Sequence, residues 1–356
     1  MNFPQATIDC AALRNNLAVV RRFAPRSRVM AAVKANAYGH GLIPAARALA
    51  SADAFGLARI NEALILRTAG ITHPLVLLEG VATAEDLAAA AANRLEIVVH
   101  SFEQIAMLEE FDGVHRFAVW LKLDSGMHRL GLAPRDFVPA NARLNRCRAV
   151  ESVRLMTHLA AAEALDSSYT RQQLDLFNAA TEGLDAERSI ANSAGLIAWP
   201  ETRVDWVRPG LMLYGMSPMR ETSAEQLGLR AAMTLSTRLI ALGEVKEGEV
   251  VGYGGVWRAA RDSRIGIAAI GYGDGYPRGM HAGAPILVNG QEVTLAGRVS
   301  MDMTAIDLTD LPHAKVGDEV TLWGEHLPAE RVARYADTLG YELVCRVTER
   351  VRVEWK

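Results

Sequence analysis

Short apolar runs alternate with longer amphipathic stretches over the first two-thirds of the chain. The runs are bounded by Gly, Asn or charged residues, which is typical of buried strands, and the stretches between them repeat apolar residues at helical spacing. Helices are predicted at Asp9–Phe23, Arg59–Ala69 and Ser167–Glu182, among others. Eight strands are predicted: Arg28–Lys34, Ala54–Ala58, Leu75–Glu79, Glu96–His100, Phe117–Leu123, Val153–His158, Ser189–Asn192 and Val207–Tyr214.

This alternation favours an α/β fold with a closed parallel (β/α)8 barrel of TIM type, with a doubly wound open sheet as the alternative. After about Gln226 the pattern changes to short β-rich runs separated by turn residues, and Asn289-Gly290 is a strong hairpin signal. Only Glu330–Leu339 has a helical pattern there. The predicted strands are Val250–Gly255, Arg264–Ile270, Pro285–Val288, Glu292–Leu295, Thr304–Leu308, Glu319–Trp323 and Leu343–Trp355.

We therefore predict an N-terminal barrel over residues 1–228, then a mainly antiparallel C-terminal β domain over residues 229–356. The 356 residues, 50% hydrophobic and 22% charged, are enough for two packed domains. A formal net charge of -3 offers no basic surface for nucleic acid.

The chain shows no features of export, membrane insertion or metal binding. Its start lacks the order of a signal peptide, and no stretch approaches the roughly 20 apolar residues of a membrane span. Cys10, Cys147 and Cys345 are far apart and odd in number, which fits a reducing compartment. The nine histidines show no zinc-binding spacing. We expect a cytoplasmic protein with no metal.

Polar residues follow five of the predicted barrel strands. The clusters are Lys34/Asn36/Tyr38, Lys122/Asp124/His128/Arg129, His158, Asn192/Ser193 and Arg208/Gly210. Each alone is ambiguous, since a strand-end lysine usually lies on the surface and a buried histidine usually serves the core. The carboxyl ends of barrel strands meet at one face, however, where barrel enzymes keep their active sites. Together the clusters predict an active site there.

The residue types suggest an anionic cofactor. A desolvated lysine such as Lys34 can form a Schiff base. Backbone amides near Gly210, with the hydroxyls of Tyr38 and Ser193, could hold a phosphate without a Walker loop. A phosphate, a Schiff-base lysine and a barrel together suggest pyridoxal 5'-phosphate.

Six motifs, in order over essentially the whole chain, resemble those of bacterial alanine racemases, which are pyridoxal-phosphate-dependent enzymes. They are Ala32–Gly41, Lys122–Gly131, Asp205–Gly210, Gly252–Gly255, Gly271–Pro277 and Gly297–Asp302. The resemblance implies a barrel plus a β domain that residues 1–8 join by pairing. It also implies a homodimer in which each active site combines one barrel with the partner's β domain.

The resemblance also implies roles for individual residues. Lys34 would carry the cofactor, Arg208 would face its pyridine nitrogen, and His158 would lie against its ring. The other residues implied around the cofactor are Tyr38, Asn192, Ser193, Gly210, Leu211 and Tyr341. Arg129 and the Met301 amide would bind the substrate carboxylate. Supporting residues would be Lys122, Tyr272 and Asp302, and the lysine at the position of Lys122 is often carbamylated in the family.

Racemisation needs a base on each face of Cα. The resemblance implies that Lys34 serves D-alanine and that Tyr253 of the partner subunit serves L-alanine. A guanidinium such as Arg208 stays charged and cannot accept the ring proton, so the ring is a weaker electron sink. Proton exchange at Cα is then favoured over transamination.

The resemblance therefore implies an isomerase that interconverts L- and D-alanine. Two other enzymes remain alternatives: an amino-acid racemase of broader specificity and a pyridoxal-phosphate-dependent decarboxylase of the same layout. A single-barrel carrier of the cofactor would lack the β domain. Whether the reaction supplies D-alanine as a peptidoglycan precursor or degrades alanine stays open.

Overall fold

A computed structural model describes residues 4–356 and contains a closed parallel barrel of eight strands and an eight-stranded, mainly antiparallel sheet. The predicted fold class is confirmed, and the open doubly wound sheet is excluded. The strands of the barrel are β2 Arg28–Ala32, β3 Ala54–Leu57, β4 Leu75–Leu77, β5 Glu96–Val99, β6 Phe117–Lys122, β7 Val150–Met156, β8 Arg188–Ser189 and β9 Trp206–Val207. They pair in parallel in chain order, and β9 closes on β2.

Helices cover the outside of the barrel. They are α1 Cys10–Phe23, α3 Leu42–Ala48, α4 Ile60–Thr68, α5 Ala84–Ala92, α6 Phe102–Glu110, α7 Pro134–Arg146, α8 Tyr169–Thr181 and α9 Ser193–Ala198, while the short segment α2 Lys34–Tyr38 is a turn with positive φ at the barrel mouth. The Asp9 carboxylate caps α1 by accepting from the Ala11 and Ala12 amides at 2.7 and 2.9 Å. Strands such as β3 are buried along their whole length, which explains why their sequences are continuous apolar runs without polar alternation.

Large side chains fill the barrel interior. Trp120 and Trp206 meet edge to face with ring centroids 5.3 Å apart, and the Arg154 guanidinium lies over both rings. Arg154 also bonds Glu96 at 3.0 Å and Glu187 at 2.8 Å, and these carboxylates accept from the two indole N–H groups. The barrel is thus a packed core and not a pore, which leaves its mouth for chemistry.

The second sheet contains β1 Gln5–Ile8 and the strands after the barrel. These are β10 Met233–Val245, β13 Ser263–Ala268, β14 Pro285–Val288, β15 Gln291–Leu295, β16 Thr304–Asp307, β17 Glu319–Trp323 and β18 Arg352–Trp355, while β11 Val250–Val251 and β12 Trp257–Arg258 form a separate ribbon. β1 pairs antiparallel with β10 and parallel with β18. The predicted division at residue 228 stays a prediction, and Met1–Phe3 lie outside the described residues.

Several predicted elements differ from the structure. β10 was not predicted, and β2 ends before Lys34. The strand predicted at Val207–Tyr214 stops at Val207, after which Leu211–Tyr214 forms a 3-10 turn. The predicted strand Leu343–Trp355 is helical at its start, since α11 spans Gly340–Cys345 and follows α10 Ala329–Ala333.

The predicted hairpin at Asn289-Gly290 is confirmed. Val288 pairs with Gln291, and both turn residues have positive φ, 49° and 78°, as a two-residue turn requires. No helix among residues 4–356 combines the length and apolar character needed to span a membrane.

Candidate active site

Lys34 opens a left-handed turn at the mouth of the barrel. The next four residues, Ala35, Asn36, Ala37 and Tyr38, have φ of 52–53°, and none of them is glycine. This conformation costs roughly 1–2 kcal/mol for each non-glycine residue. Such a turn persists only where its surroundings hold it, and strain of this kind is concentrated at functional sites.

Hydrogen bonds from three directions hold the turn. The Glu62 carboxylate accepts from the Ala35 amide at 2.7 Å, and the Asn36 side chain accepts from the Leu42 amide at 2.8 Å. The buried His40 ring donates from Nδ1 towards the Ala37 and Tyr38 carbonyls, at 3.1 and 2.8 Å. Burial lowers the pKa of His40 to about 4, so the ring is neutral at pH 7.

The turn directs Tyr38 into an aromatic stack. Its ring lies 4.7 Å from that of Tyr214 and 5.9 Å from that of Tyr341 in α11, and the Tyr214 hydroxyl donates to the Ala32 carbonyl at 2.8 Å. Burial raises the pKa of Tyr38, which keeps its hydroxyl protonated. That hydroxyl has no hydrogen-bond partner within residues 4–356, so its proton is available to a ligand.

The Ser193 hydroxyl lies beside the same glycine as the Tyr38 hydroxyl. It accepts from the Gly210 and Met212 amides, at 3.0 and 3.3 Å. A Cβ on Gly210 would lie 2.5 Å from the Tyr38 hydroxyl oxygen. Neither the Ser193 hydroxyl proton nor the Leu211 amide has a partner in the part of the chain that the structure describes. Two hydroxyls and one amide thus form a cradle for an oxyanion.

Asn192 helps to form this cradle. Its side chain caps α9 by accepting from the Gly195 amide at 2.9 Å and donates to the Leu159 carbonyl at 3.2 Å. The Asn192 amide is therefore occupied within the chain, where it fixes the position of Ser193.

Positive charge accumulates at the barrel mouth. Lys122 is buried, and burial together with Arg208, Arg129 and Lys34 lowers its pKa to about 8. Burial and the same neighbours, with Arg208 the strongest of them, lower the pKa of His158 well below its usual range. None of these five groups forms an ion pair among residues 4–356. Of these groups, Lys122 and Arg208 are both buried and charged, and a buried charge without an oppositely charged partner is costly, so the arrangement favours an anionic ligand.

Arg208 is fixed in place by neutral acceptors. Its guanidinium donates to the Ser189 hydroxyl at 2.6 Å and to the carbonyls of Thr157 and Ile190. Burial lowers its pKa to about 10, so it remains charged at neutral pH. The cation can donate to a ligand but cannot accept a proton from it.

The remaining predicted site residues lie in the β domain and face solvent. Tyr253 is 67% exposed, Met301 is 53% exposed, and Tyr272 is 38% exposed, while Asp302 accepts from Arg350 at 2.6 Å. The Met301 amide has no hydrogen-bond partner among residues 4–356. None of the four contacts Lys34 through a hydrogen bond or ring pair within the described chain. The barrel residues and Tyr341 form one group, and these four form another.

Arg298 lies close to the backbone of the segment that contains Tyr253. Its guanidinium carbon lies 3.9 Å from the position of a Cβ on Gly254, the residue after Tyr253.

Sequence reasoning missed two residues that hold this site together. Glu62 bonds the turn after Lys34, and its position three residues after the cap of α4 was the available signal. Gln173 is fully buried in α8; it accepts from the Ala160 amide at 2.9 Å and donates to the His158 carbonyl at 3.0 Å. A glutamine within an amphipathic helix gave no such signal.

Comparison with known proteins identifies the chain's family. A family model described as the alanine racemase N-terminal domain matches residues 8–218, and one described as the C-terminal domain matches residues 232–355. The chain belongs to the alanine racemase family. The resemblance seen in the six motifs is thereby confirmed.

Full-length relatives in the alanine racemase family agree with this assignment. Alanine racemases from Aeromonas hydrophila and Nitrosococcus oceani are 51% and 52% identical to the chain, covering 98% and 99% of it and 98% and 99% of their own lengths. The solved structure of the biosynthetic alanine racemase from Pseudomonas aeruginosa matches with a TM-score of 0.97 at 46% identity, and covers 100% of both chains.

The alanine racemase family is pyridoxal-phosphate-dependent, and the barrel residues fit that cofactor. The cradle at Gly210 suits a phosphate, since a side chain there would clash with Tyr38. The Lys34 amine can form a Schiff base with the aldehyde of the cofactor. The positive charges without ion pairs favour its phosphate. The donor set thus matches both ends of the cofactor.

Proposed function

We propose that this protein is a pyridoxal-phosphate-dependent isomerase that interconverts L-alanine and D-alanine. The observation that carries the proposal is the oxyanion cradle that Tyr38 and Ser193 form at Gly210, at the end of the left-handed turn that begins at Lys34. The full-length similarity to proteins named alanine racemase supports the same activity.

Each barrel residue has a proposed role towards the cofactor. Tyr38, Ser193 and the Leu211 amide would bind its phosphate at Gly210, which has no side chain to block it, with Tyr341 packed beside them and Asn192 positioning Ser193. Arg208 would donate to the ring nitrogen, and His158 would lie against the ring. When bound, the cofactor supplies an aldehyde carbon and an electron-withdrawing ring, which make the Cα proton of an attached amino acid acidic.

Two residues on opposite faces of Cα would move the protons. Lys34 would hold the cofactor before substrate arrives and then accept the proton of D-alanine. Tyr253 of the partner subunit would accept the proton of L-alanine. Each residue would return a proton to its own face in the opposite direction of reaction.

The substrate carboxylate would bind Arg129 and the Met301 amide of the partner subunit. The Arg129 side chain is exposed and unpaired within residues 4–356, so its fork of donors is free. The lowered pKa of Lys122, about 8, gives it a larger fraction of neutral amine at neutral pH than an ordinary lysine has, and the neutral amine is the form that reacts with carbon dioxide. We propose that its carbamate orients Arg129, and that Tyr272 and Asp302 shape the partner's contribution.

The proposal requires a homodimer. Tyr253, Tyr272 and Met301 are exposed and form no hydrogen bond with Lys34 among residues 4–356, so in this proposal a second copy supplies them. A cytoplasmic location is part of the proposal, and three free cysteines support a reducing compartment.

A racemisation assay across the amino acids, with and without added pyridoxal phosphate, tests the proposal. We expect alanine to react much faster than bulky amino acids, and activity to depend on the cofactor. Equal kcat/KM for alanine and a bulky amino acid would support the alternative of a broad-specificity racemase. Carbon dioxide release from basic amino acids would indicate the decarboxylase, although a cation at Arg208 argues against it.

A further inference from the structure

The bond from the Ala35 amide to Glu62 is the one closest to Lys34. This amide belongs to the peptide group that joins Lys34 to Ala35, and it donates to Oε1 of Glu62 at 2.7 Å. Fixing that peptide plane also fixes the backbone from which the lysine side chain extends. The four left-handed residues that follow disfavour this geometry by several kcal/mol in the absence of such contacts.

The other carboxylate oxygen of Glu62 accepts from the backbone just after a barrel strand. Oε2 accepts from the amides of Ala58 and Arg59 at 2.9 and 3.1 Å, directly after β3. β3 is the barrel neighbour of β2, and Ala32 pairs with Gly56 in register. The carboxylate thus ties the Lys34 turn to the end of the adjacent strand.

The partners of the Glu62 carboxylate are backbone amides and not charged side chains. No lysine, arginine or histidine forms an ion pair with it among residues 4–356, and all three of its hydrogen bonds are to backbone amides. A carboxylate is well suited to this arrangement because it accepts at both oxygens and donates at neither. A glutamine side chain has the same size but can accept hydrogen bonds at only one of the two positions, because the other is an NH2 group.

We propose that Glu62 is a positioning residue that directs the Lys34 amine towards the D face of Cα. The inference rests on the proposed role of Lys34. The three hydrogen bonds of the Glu62 carboxylate go to Ala35, Ala58 and Arg59 of its own barrel, whereas Tyr253 is proposed to come from the partner subunit. Loss of the Ala35 bond therefore slows proton transfer at one face and leaves transfer at the other face unchanged.

Rates alone cannot reveal this asymmetry. D-alanine and L-alanine have equal free energies, so any variant lowers kcat/KM by the same factor in both directions. A deuterium at Cα reports on one step only: in D-alanine it slows removal by Lys34, and in L-alanine it slows removal by Tyr253. The two isotope effects therefore separate the two bases.

The test measures both isotope effects on kcat/KM in the holoenzyme and in Glu62→Gln and Glu62→Asp variants. Aspartate keeps a carboxylate for the start of α4 but is too short to reach Ala35 as well, so it separates loss of positioning from loss of the helix cap. The matched control is Asp86→Ala, which removes the corresponding carboxylate from α5, where no proposed site residue lies.

In both Glu62 variants we expect kcat/KM to fall about 10-fold in each direction, the factor that about 1.4 kcal/mol produces. The isotope effect with deuterated D-alanine should rise, and that with deuterated L-alanine should stay level or fall. Asp86→Ala should leave both isotope effects at their parent values. Equal changes with the two substrates, or no change in either Glu62 variant, would overturn the inference.

Hydrogen exchange of the same holoenzymes provides a readout that is independent of turnover. The segment from Ala35 to Gly39 should exchange faster in both Glu62 variants and at the parent rate in Asp86→Ala. Parent exchange rates in the Glu62 variants would contradict the positioning role even if activity fell. If the parent enzyme did not racemise alanine, the proposed function would fail; if it did and only these differences were absent, Glu62 alone would be misassigned.

Discussion

The hydroxyl oxygen of Tyr38 lies beside Gly210, where a Cβ atom would come within 2.5 Å of it. The Ser193 hydroxyl accepts from the amide of that same glycine. The two hydroxyls thus converge because position 210 has no side chain, and the proposed phosphate site lies where the turn after β2 meets the segment after β9.

Replacing this glycine should weaken cofactor binding. In Gly210→Ala the new methyl group would displace the Tyr38 hydroxyl, and we expect the dissociation constant for pyridoxal phosphate to rise at least about 10-fold, equivalent to about 1.4 kcal/mol. Titration of cofactor-free protein, followed by absorbance, measures it. Gly243→Ala is the control, because a Cβ there meets open space. Equal affinity in the two variants would exclude the cradle.

The buried amine of Lys122 should make stability depend on pH in cofactor-free protein. Its pKa is about 8 when folded and 10.5 ordinarily, a difference equivalent to roughly 3 kcal/mol at most. The unfolded chain holds this proton more tightly than the folded chain does. The charged amine therefore lowers the stability of the fold by its full amount below pH 8, and this loss shrinks as pH rises towards 10.5.

Lys122→Met should therefore be more stable than the parent at pH 7 in buffer free of carbon dioxide, and the gap should close as pH rises through that window. Denaturant unfolding at a series of pH values measures it. Lys246→Met replaces an exposed lysine that pairs with Asp262 and should give no such gain. A gap for Lys122→Met that did not change with pH would contradict the assigned pKa.

The turn after Tyr38 should tolerate no side chain at Gly39. Its φ is 79°, and a Cβ would lie 2.1 Å from the Val344 carbonyl in α11, whereas Gly70 has φ 80° and open space around it. Gly70→Ala should cost about 1 kcal/mol of unfolding free energy from backbone strain alone. Gly39→Ala should cost several-fold more in urea unfolding. Equal losses would mean that α11 does not press on the turn.

The barrel was predictable from sequence because its strands are buried on both faces and alternate with helices. The turn after Lys34 was not, since Ala-Asn-Ala-Tyr contains no glycine and local preference opposes a left-handed backbone. Contacts remote in sequence, such as the Glu62 carboxylate, impose that conformation. The strand was therefore predicted to run on to Lys34, although it ends at Ala32.

The same reasoning explains the errors in the β domain. Leu343 and Val344 have the composition of a strand, but both are buried in a short helix that packs against α2. Tertiary packing overrode their β propensity. For the site, sequence could name the barrel residues and Tyr253, but not the distribution of unpaired charge, which depends on burial.

The central claim, that each site joins Lys34 of one subunit to Tyr253 of the partner subunit, is tested by mixing two inactive variants. Lys34→Ala and Tyr253→Phe should each be almost inactive as homodimers. After subunits exchange at equal concentrations, half of the dimers are hybrids, and each hybrid has one site with both residues intact. We predict that activity returns to about a quarter of the parent value; a mixture that stays as inactive as its components would contradict the shared site.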